Sequence, residues 1–461
     1  MAEDFFQGYK GVALETLKKF NCRVWGQAEC KTTQGVFKGT VLPRACNDDD
    51  KHIVMKVSTG YNIGVDVDTI LSMKETDYKK ANYHIPEKEF PYTEGLPHVK
   101  LLGTGGTIAS RLDYRTGAVI PAFSPGELYG AVPELASICN LDTEKVFAVF
   151  SENMGPKQYI ALAKKIGEEI ENGIDGIVIG HGTDTLHHTA SALSFMCQNL
   201  PVPVVLVGSQ RSSDRPSSDA ALNLMHAMTA AGTGDIAEVM VCMFGPTSDE
   251  YGFLHRGTRV RKMHSSYRST FRTIGDTPVA TVTRAGVKPI KEDYKHRRKD
   301  RNVKIIPTFS DKVTMLYYYP GMHPDMLDSI IDNGYKGVVW VGTGLGHINK
   351  EMYPAVERAQ REGIHQYMTL QTLWGYCGMF VYDTGRDMMA RGIIPAGNML
   401  PEVAWVKLSW ALGQTEDPEE VKRLMLTPIN DEITEREPYN GYMVYQGGVP
   451  ETDDFIKRFH K

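Results

Sequence analysis

Two rhythms of apolar and polar residues divide the chain. Over residues 1–75 the alternation is short and strand-like, in Arg23–Glu29, Gly35–Leu42, His52–Val57 and Tyr61–Val65, as for strands with one buried face. Turn-formers separate these runs: Thr33-Gln34-Gly35, Asn47-Asp48-Asp49-Asp50 and Thr59-Gly60. A short helix over Val12–Phe20 precedes them. Strands this short, with turns roughly every 8–12 residues, predict a compact open β-barrel. Lys74–Pro97 is charged, aromatic and proline-bearing, and reads as a connection.

From Val99 the texture changes. Val99–Gly103, Gly176–Gly180, Val202–Val207 and Glu238–Phe244 are short, apolar and rich in β-branched residues, the composition of buried parallel strands. Helical stretches lie between them, at Pro156–Asn172, Thr185–Gln198 and Ser217–Ala231. Such alternation predicts a doubly wound α/β sheet. Lys288–Lys304 is dominated by charge and reads as a surface connection, with Lys295–Lys299 as a solvated run. A second, smaller α/β unit follows: strands at Val313–Tyr318, Gly337–Val341 and Gln366–Leu370, and helices near Pro324–Asn333 and Lys350–Glu362. Its closing helices are legible in detail. Pro401–Leu412 carries an apolar face, and Asp417-Pro418-Glu419-Glu420 supplies an N-cap, a proline at the first helical position and acidic residues in the first turn. The expected division is 1–75 barrel, 76–97 linker, 98–290 large α/β domain, 291–312 charged linker, 313–431 smaller α/β domain and 432–461 tail.

The chain has 461 residues, too many for one core, with 42% apolar and 23% charged residues, ordinary for a globular protein. No apolar run approaches the roughly 20 residues a membrane helix needs, so no membrane association is expected. The acidic start lacks an apolar signal core. The 7 cysteines are scattered and form no Cys-x-x-Cys pair, which argues for reduced thiols in a cytoplasmic protein and against a zinc site. A net charge of −5 is unlike a domain that grips nucleic acid by itself.

In an open parallel sheet, ligands bind beyond the carboxyl ends of the strands. Three such ends carry polar or reactive groups: Gly103–Ser110, Gly180–Thr185 and Gly208–Ser212. The first fails as a dinucleotide fingerprint, because Ile108 stands where the last glycine belongs, and as a P-loop, because it holds no lysine. Gly342–His347 fails in the same way. The glycines do let backbone amides approach a ligand, which places Thr107 at the rim of a cradle. A hydroxyl is a weak nucleophile and needs a base nearby. Thr183 and Asp184 offer part of such a set, although Asp184-Thr185 reads equally as a helix cap. His187-His188 sit on the following helix without matching ligands, so no metal is expected there. The run Arg256, Arg259, Arg261, Lys262, Arg268 and Arg272 contains no acidic residue. It reads as a solvated loop, or alternatively as a contact to a partner or to phosphates.

Thr104-Gly105-Gly106-Thr107-Ile108-Ala109, followed by His181-Gly182-Thr183-Asp184-Thr185, resembles the paired signatures of the L-asparaginase/glutaminase family. The resemblance continues through Ser151–Met154, Pro203–Ser209, Asp219–Asn223, Pro320-Gly321, Gly337–Gly346 and Leu400–Gly413, and extends essentially over residues 98 to 430. It implies an asparaginase-like two-domain α/β core with parallel sheets. It also implies roles. Thr107 corresponds to the nucleophile, and Thr183, Asp184 and Lys262 to the second threonine, aspartate and lysine. Ser151 and Glu152, with Asp184, would bind the α-carboxylate and α-amino groups of the substrate. Gly105 and Gly106 would lend amides to the developing oxyanion. The family's mobile tyrosine has one counterpart, Tyr114, which sits closer to Thr107 than the family pattern places it.

About 100 residues precede the first motif. Gly39–Arg44, His52–Lys56 and Gly60–Val65, together with Tyr382–Asp387 and Met399–Ala404, resemble the D subunits of archaeal glutamyl-tRNA(Gln) amidotransferases. That resemblance implies a glutaminase whose ammonia passes to a larger kinase/transamidase partner, the E subunit, which uses ATP and magnesium to convert Glu-tRNA(Gln) to Gln-tRNA(Gln). It further implies that tRNA is held mainly by that partner, that this chain needs no cofactor of its own, and that it forms a homodimer within a heterotetramer. Two other readings stand beside it: a free asparaginase with an added domain, and a catalytically silent binding subunit.

Overall fold

The computed structural model describes residues 5–44, 48–58, 61–78, 89–105, 110–113, 118–121, 128, 132–211, 217–438 and 442. The chain divides into two compact units, one of Met1–Glu89, Thr107–Pro133 and Gln210–Ala221, the other of Phe90–Gly106, Glu134–Ser209 and Leu222–Lys461.

In the first unit, helix Gly11–Lys19 is followed by a five-stranded antiparallel sheet. Its spatial order is Asn62–Asp66, His52–Val57, Gly35–Val41, Gly26–Thr32, Ile70–Tyr78. Burial alternates along Gly26–Thr32, and Leu17, Cys30, Ile53 and Met55 form the centre of the core at zero exposure. The alternation pattern misses the fifth strand, which extends past the expected start of the linker. Among its nine residues only Met73 is buried, so an edge strand of this kind carries almost no period-two signal.

The second unit holds two sheets. The larger has eight strands in the order Gly286–Pro289, Ala280–Thr283, Gly252–Arg256, Val239–Phe244, Val204–Val207, Gly176–Gly180, His98–Gly103, Asn140–Lys145. The five from Val239–Phe244 to Asn140–Lys145 run parallel, and the other three run antiparallel. The three central parallel strands, Gly176–Gly180, Val204–Val207 and Val239–Phe244, are apolar and buried throughout because helices such as Pro156–Glu171 and Leu186–Met196 cover the sheet, whereas the edge strand Asn140–Lys145 is mostly polar. From His98–Gly103 the chain goes to one side for Asn140–Lys145 and returns on the other side for Gly176–Gly180. That reversal opens a crevice at the carboxyl ends of His98–Gly103 and Gly176–Gly180.

The smaller sheet is parallel, in the order Val313–Tyr317, Gly337–Gly342, His365–Leu370, Ile393–Pro395. Helix Pro401–Leu412 packs against it and against Leu186–Met196, with Trp410 stacked on Phe195 at 5.9 Å between ring centroids. One continuous core therefore joins the two sheets. The expected cap is present: the Asp417 carboxylate accepts from the amides of Glu419 and Glu420 at 2.9 and 3.1 Å.

Two expectations of solvated charge are corrected. Arg256 and Arg259 are buried. Gly252–Arg256, Val260–Lys262 and Phe271–Thr273 are strands, Arg256 pairs with Glu238 at 2.8 Å, and Arg268 pairs with Asp249 at 2.6 Å. The acids that balance this basic run lie outside it, 18 and 19 residues from their partners, so the composition of the run alone does not show them. Likewise Lys295 and Arg297 are partly buried. Arg297 donates to the carbonyls of Asp175, Ala231 and Gly234, and Lys295 reaches Asn430 at 2.6 Å. No helix among the described residues is long and apolar enough to cross a membrane.

Buried histidines give the core a defined response to acid. Burial lowers the imidazole pKa values of His181, His188 and His226 from near 6.5 to about 4. Unfolding exposes rings that bind protons below about pH 6.5, while the folded rings stay neutral, so the unfolded state holds more protons between those limits. Stability should therefore be retained above about pH 6.5 and fall as pH drops towards 4, as measured by denaturant midpoints across that range. A flat profile there would contradict neutral burial of these rings.

Candidate active site

The second motif turns sharply where strand Gly176–Gly180 meets helix Leu186–Met196. Its first residue, His181, is a brace rather than a base. The ring has zero exposure. Its Nδ1 lies 2.6 Å from the Gly182 carbonyl, so Nδ1 carries the proton, and its Nε2 lies 2.8 Å from the Thr189 hydroxyl, which must donate to it. The loop is tied to the first motif as well. Thr104 donates through its amide and hydroxyl to the Gly180 carbonyl at 3.0 and 2.9 Å.

Lys262 arrives from another part of the sequence, at the end of the short strand Val260–Lys262, which pairs with Phe271–Thr273. Its Nζ lies 2.9 Å from the Thr183 hydroxyl and 2.7 Å from an Asp184 carboxylate oxygen. The Lys262 side chain is 9% exposed and that of Asp184 is 70% exposed. A shielded ammonium thus bridges a buried hydroxyl and an open carboxylate. Side chains alternate along a strand, and Arg261 accordingly turns away to pair with Glu402 at 3.0 Å. Glu402 is buried, which raises its carboxyl pKa.

Ser151 opens a single helical turn, Ser151–Asn153, and its carbonyl accepts from the Thr185 hydroxyl at 2.5 Å. It is buried, whereas Glu152 is exposed. The structure therefore brings Ser151, Thr183, Asp184 and Lys262 together and leaves Glu152 at the rim. Gly106, Thr107 and Tyr114 lie outside the described residues. Gly105 is described, with φ +116 and Val149 O only 2.3 Å from where a Cβ would stand.

Sequence reasoning missed three supports of this site. A Cβ on Gly182 would lie 2.8 Å from Ser151 Cβ, and one on Gly208 would lie 2.7 Å from Thr183 Cγ2 and 2.8 Å from the His181 carbonyl. Glycine at strand ends is a visible signal, but which wall it meets is not. The third is the Arg261–Glu402 pair, whose partners are 141 residues apart. His187 and His188 are on the helix, as expected; His187 is buried and His188 partly so, and desolvation lowers both pKa values. Among the described residues no three His, Cys, Asp or Glu side chains are grouped so as to hold a metal ion.

Comparison with known proteins gives this geometry a context. The family model for the asparaginase N-terminal domain matches residues 98–294, that for the glutaminase/asparaginase C-terminal domain matches 312–425, and that for the GatD N-terminal domain matches 28–74. The chain is 47% identical over 411 residues to the D subunit of the glutamyl-tRNA(Gln) amidotransferase of Thermococcus kodakarensis, covering 88% of this chain and 92% of that protein. It is 46% identical over 434 residues to the D subunit of the same enzyme from Methanopyrus kandleri, covering 92% and 94%. Among solved structures, the thermostable L-asparaginase from Thermococcus kodakarensis aligns with a TM-score of 0.64 at 32% identity, over 73% of this chain and 99% of that one.

The tight walls make a direct test. Gly208→Ala should push Thr183 off its contact with Lys262, and a displacement of about 1 Å can cost about a hundredfold in rate. We expect that loss in amide hydrolysis with an unchanged circular dichroism spectrum; wild-type rates would show that the crowded wall is irrelevant to the site.

Proposed function

We infer, because this chain belongs to the asparaginase/glutaminase family and within it to the glutamyl-tRNA(Gln) amidotransferase D subunits, that it is the glutaminase component of such an enzyme. It hydrolyses glutamine and delivers the ammonia to a partner that amidates Glu-tRNA(Gln). The observation that carries the reading is the bridge from Lys262 to Thr183 and Asp184.

The chemistry divides into two steps. The Thr107 hydroxyl adds to the side-chain carbonyl of glutamine, and the tetrahedral intermediate expels ammonia to leave a glutamyl ester on Thr107. Water then hydrolyses the ester, so the balance is glutamine plus water to glutamate plus ammonia. The attacking oxygen must lose a proton and the leaving nitrogen must gain one. Thr183 and Lys262 support that traffic: Lys262 Nζ lies 2.9 Å from the Thr183 hydroxyl, close enough to exchange a proton with it, and the Asp184 carboxylate at 2.7 Å balances the charge on the lysine. Ser151, with Glu152 and Asp184, holds the α-substituents of the amino acid, and Gly105 and Gly106 amides serve the oxyanion. ATP and magnesium belong to the partner, the larger kinase/transamidase E subunit, which also holds most of the tRNA. The working assembly is a homodimer of this chain within a heterotetramer in the cytoplasm.

Thr107→Val keeps shape and removes the hydroxyl, so glutamine hydrolysis should vanish in a protein that still folds. Thr183→Val and Lys262→Met should each lose several orders of magnitude, and the double variant little more, because members of one catalytic unit are not additive. Near-wild-type ammonia release from Thr107→Val would overturn the assignment. Coupling is tested by ammonia release from the chain alone, with the partner, and with partner, ATP and Glu-tRNA(Gln). The rate should rise at the last step; equal rates in all three would favour a free amidase.

A further inference from the structure

Lys262 ends a strand of only three residues whose single ladder partner, Phe271–Thr273, is equally short. Such a hairpin does not fix its own position. The anchoring instead comes from residue 259, immediately before the strand. The Arg259 side chain has zero exposure. Its Nε donates to the Asp431 carbonyl at 2.7 Å and Nη1 to the Asn398 carbonyl at 3.0 Å, while Nη2 donates to Asn398 Oδ1 at 3.1 Å and Thr434 Oγ1 at 3.4 Å. Among the described residues no carboxylate lies within ion-pair distance of it. Burial lowers its pKa, against the opposing pull of the Asp276, Glu432 and Glu437 carboxylates further off. A buried cation held this way is a costly means of filling space, and an apolar side chain would do that better. What the guanidinium supplies is direction, through four bonds from one rigid plane.

Asn398 lies just before helix Pro401–Leu412, whereas the other two acceptors, Asp431 and Thr434, belong to a strap that follows helix Pro418–Leu426 and is itself fastened at both sides. Glu432 pairs with Lys407 at 2.5 Å, both at zero exposure, and accepts from the amides of Ile429 and Asn430. Asp431, in the left-handed region at φ +56, pairs with Arg256 at 2.8 Å. The Asn430 carbonyl accepts from the Thr258 hydroxyl at 2.6 Å. Further on, Thr434 is bonded to Asn398, and Glu437 accepts from the Gly375 amide at 3.1 Å.

We propose that Arg259 is a positioning residue for amide hydrolysis: clamped by Asn398 and the strap residues Asp431 and Thr434, it sets the place of Lys262 against Thr183 and Asp184. The inference rests on the glutaminase reading, since it concerns the lysine of that site. The strap thereby makes the active site of the larger α/β domain depend on the smaller one and on the chain beyond it. Loosening the clamp leaves Thr183, Asp184 and the substrate groups in place and moves only the amine, so turnover suffers while glutamine binding does not.

The test uses the full chain, with its partner where the chain alone is slow. Wild-type ammonia release from glutamine is measured first, and its absence would sink the glutaminase reading independently of the clamp. With an active wild type, Thr434→Val should unfold near the wild-type temperature and Asn398→Ala below it, because the latter leaves buried donors unpaired; both, folded at the assay temperature, should lower kcat about ten- to hundredfold, leave KM within about twofold, and shift the pH–rate profile. Arg259→Lys should recover part of what Arg259→Met loses, since it keeps the charge and forfeits the planar fork. If Arg259→Met does not fold, the two milder variants decide. Wild-type kcat and pH profile in folded Thr434→Val and Asn398→Ala would overturn the proposal. So would a loss that disappears when rates are compared at equal folded fraction.

Discussion

An amine placed within hydrogen-bond reach of a hydroxyl and a carboxylate on the same loop is the constraint around which this site is built. Thr183 and Asp184 are neighbours in sequence, but Lys262 comes 78 residues later than Asp184 and on a different kind of element. Keeping that contact requires the loop after Gly176–Gly180 and the hairpin at Val260–Lys262 to be held to a fraction of an ångström by separate means. Much of the buried polarity of the second unit serves this need. His181 braces the loop through both ring nitrogens, Thr104 ties it to the neighbouring strand, and Gly182 and Gly208 remove the carbons that would crowd Ser151 and Thr183. On the other side, Arg259 and Arg261 secure the strand at neighbouring positions.

These devices are costly in stability. A fully buried Lys407–Glu432 pair, a guanidinium held by carbonyls and several histidines kept neutral by burial all oppose folding unless their partners are in place. The central parallel strands Gly176–Gly180, Val204–Val207 and Val239–Phe244, apolar on both faces, and the core shared by the two sheets supply the compensating burial. The arrangement explains why the polar groups are satisfied by distant partners: only a complete fold provides them, so the site is assembled cooperatively with the core.

How much of this the amino-acid sequence reveals depends on distance along the chain. Strand Gly176–Gly180 and the Asp417 cap are local patterns and lie where periodicity and capping chemistry put them, whereas helix Pro401–Leu412 has the expected bounds but is buried on nearly every side rather than on one apolar face. Strand Ile70–Tyr78 is missed because its edge position leaves one buried residue, Met73, and no alternation. The basic run from Arg256 to Arg272 is misread as solvated for a different reason. Its balancing groups, Glu238, Asp249, Asp276 and Asp431, stand outside it or far beyond it. The grouping of Ser151, Thr183, Asp184 and Lys262 follows from family resemblance. Residue physics alone leaves Asp184-Thr185 open between a cap and chemistry. The structure shows no side-chain cap bond at Thr185, whose hydroxyl instead reaches back to Ser151.

The proposed glutaminase chemistry turns on the Lys262 amine exchanging a proton with the Thr183 hydroxyl. Chemical rescue tests it most directly. Lys262→Ala should lose glutamine hydrolysis and leave a space that a small primary amine can occupy. Added methylamine or ethylamine should then restore ammonia release saturably, with a pH dependence that follows the pKa of the added amine. Wild-type turnover by the uncomplemented variant, or full inactivity at every amine and pH when the variant is folded, would contradict the account.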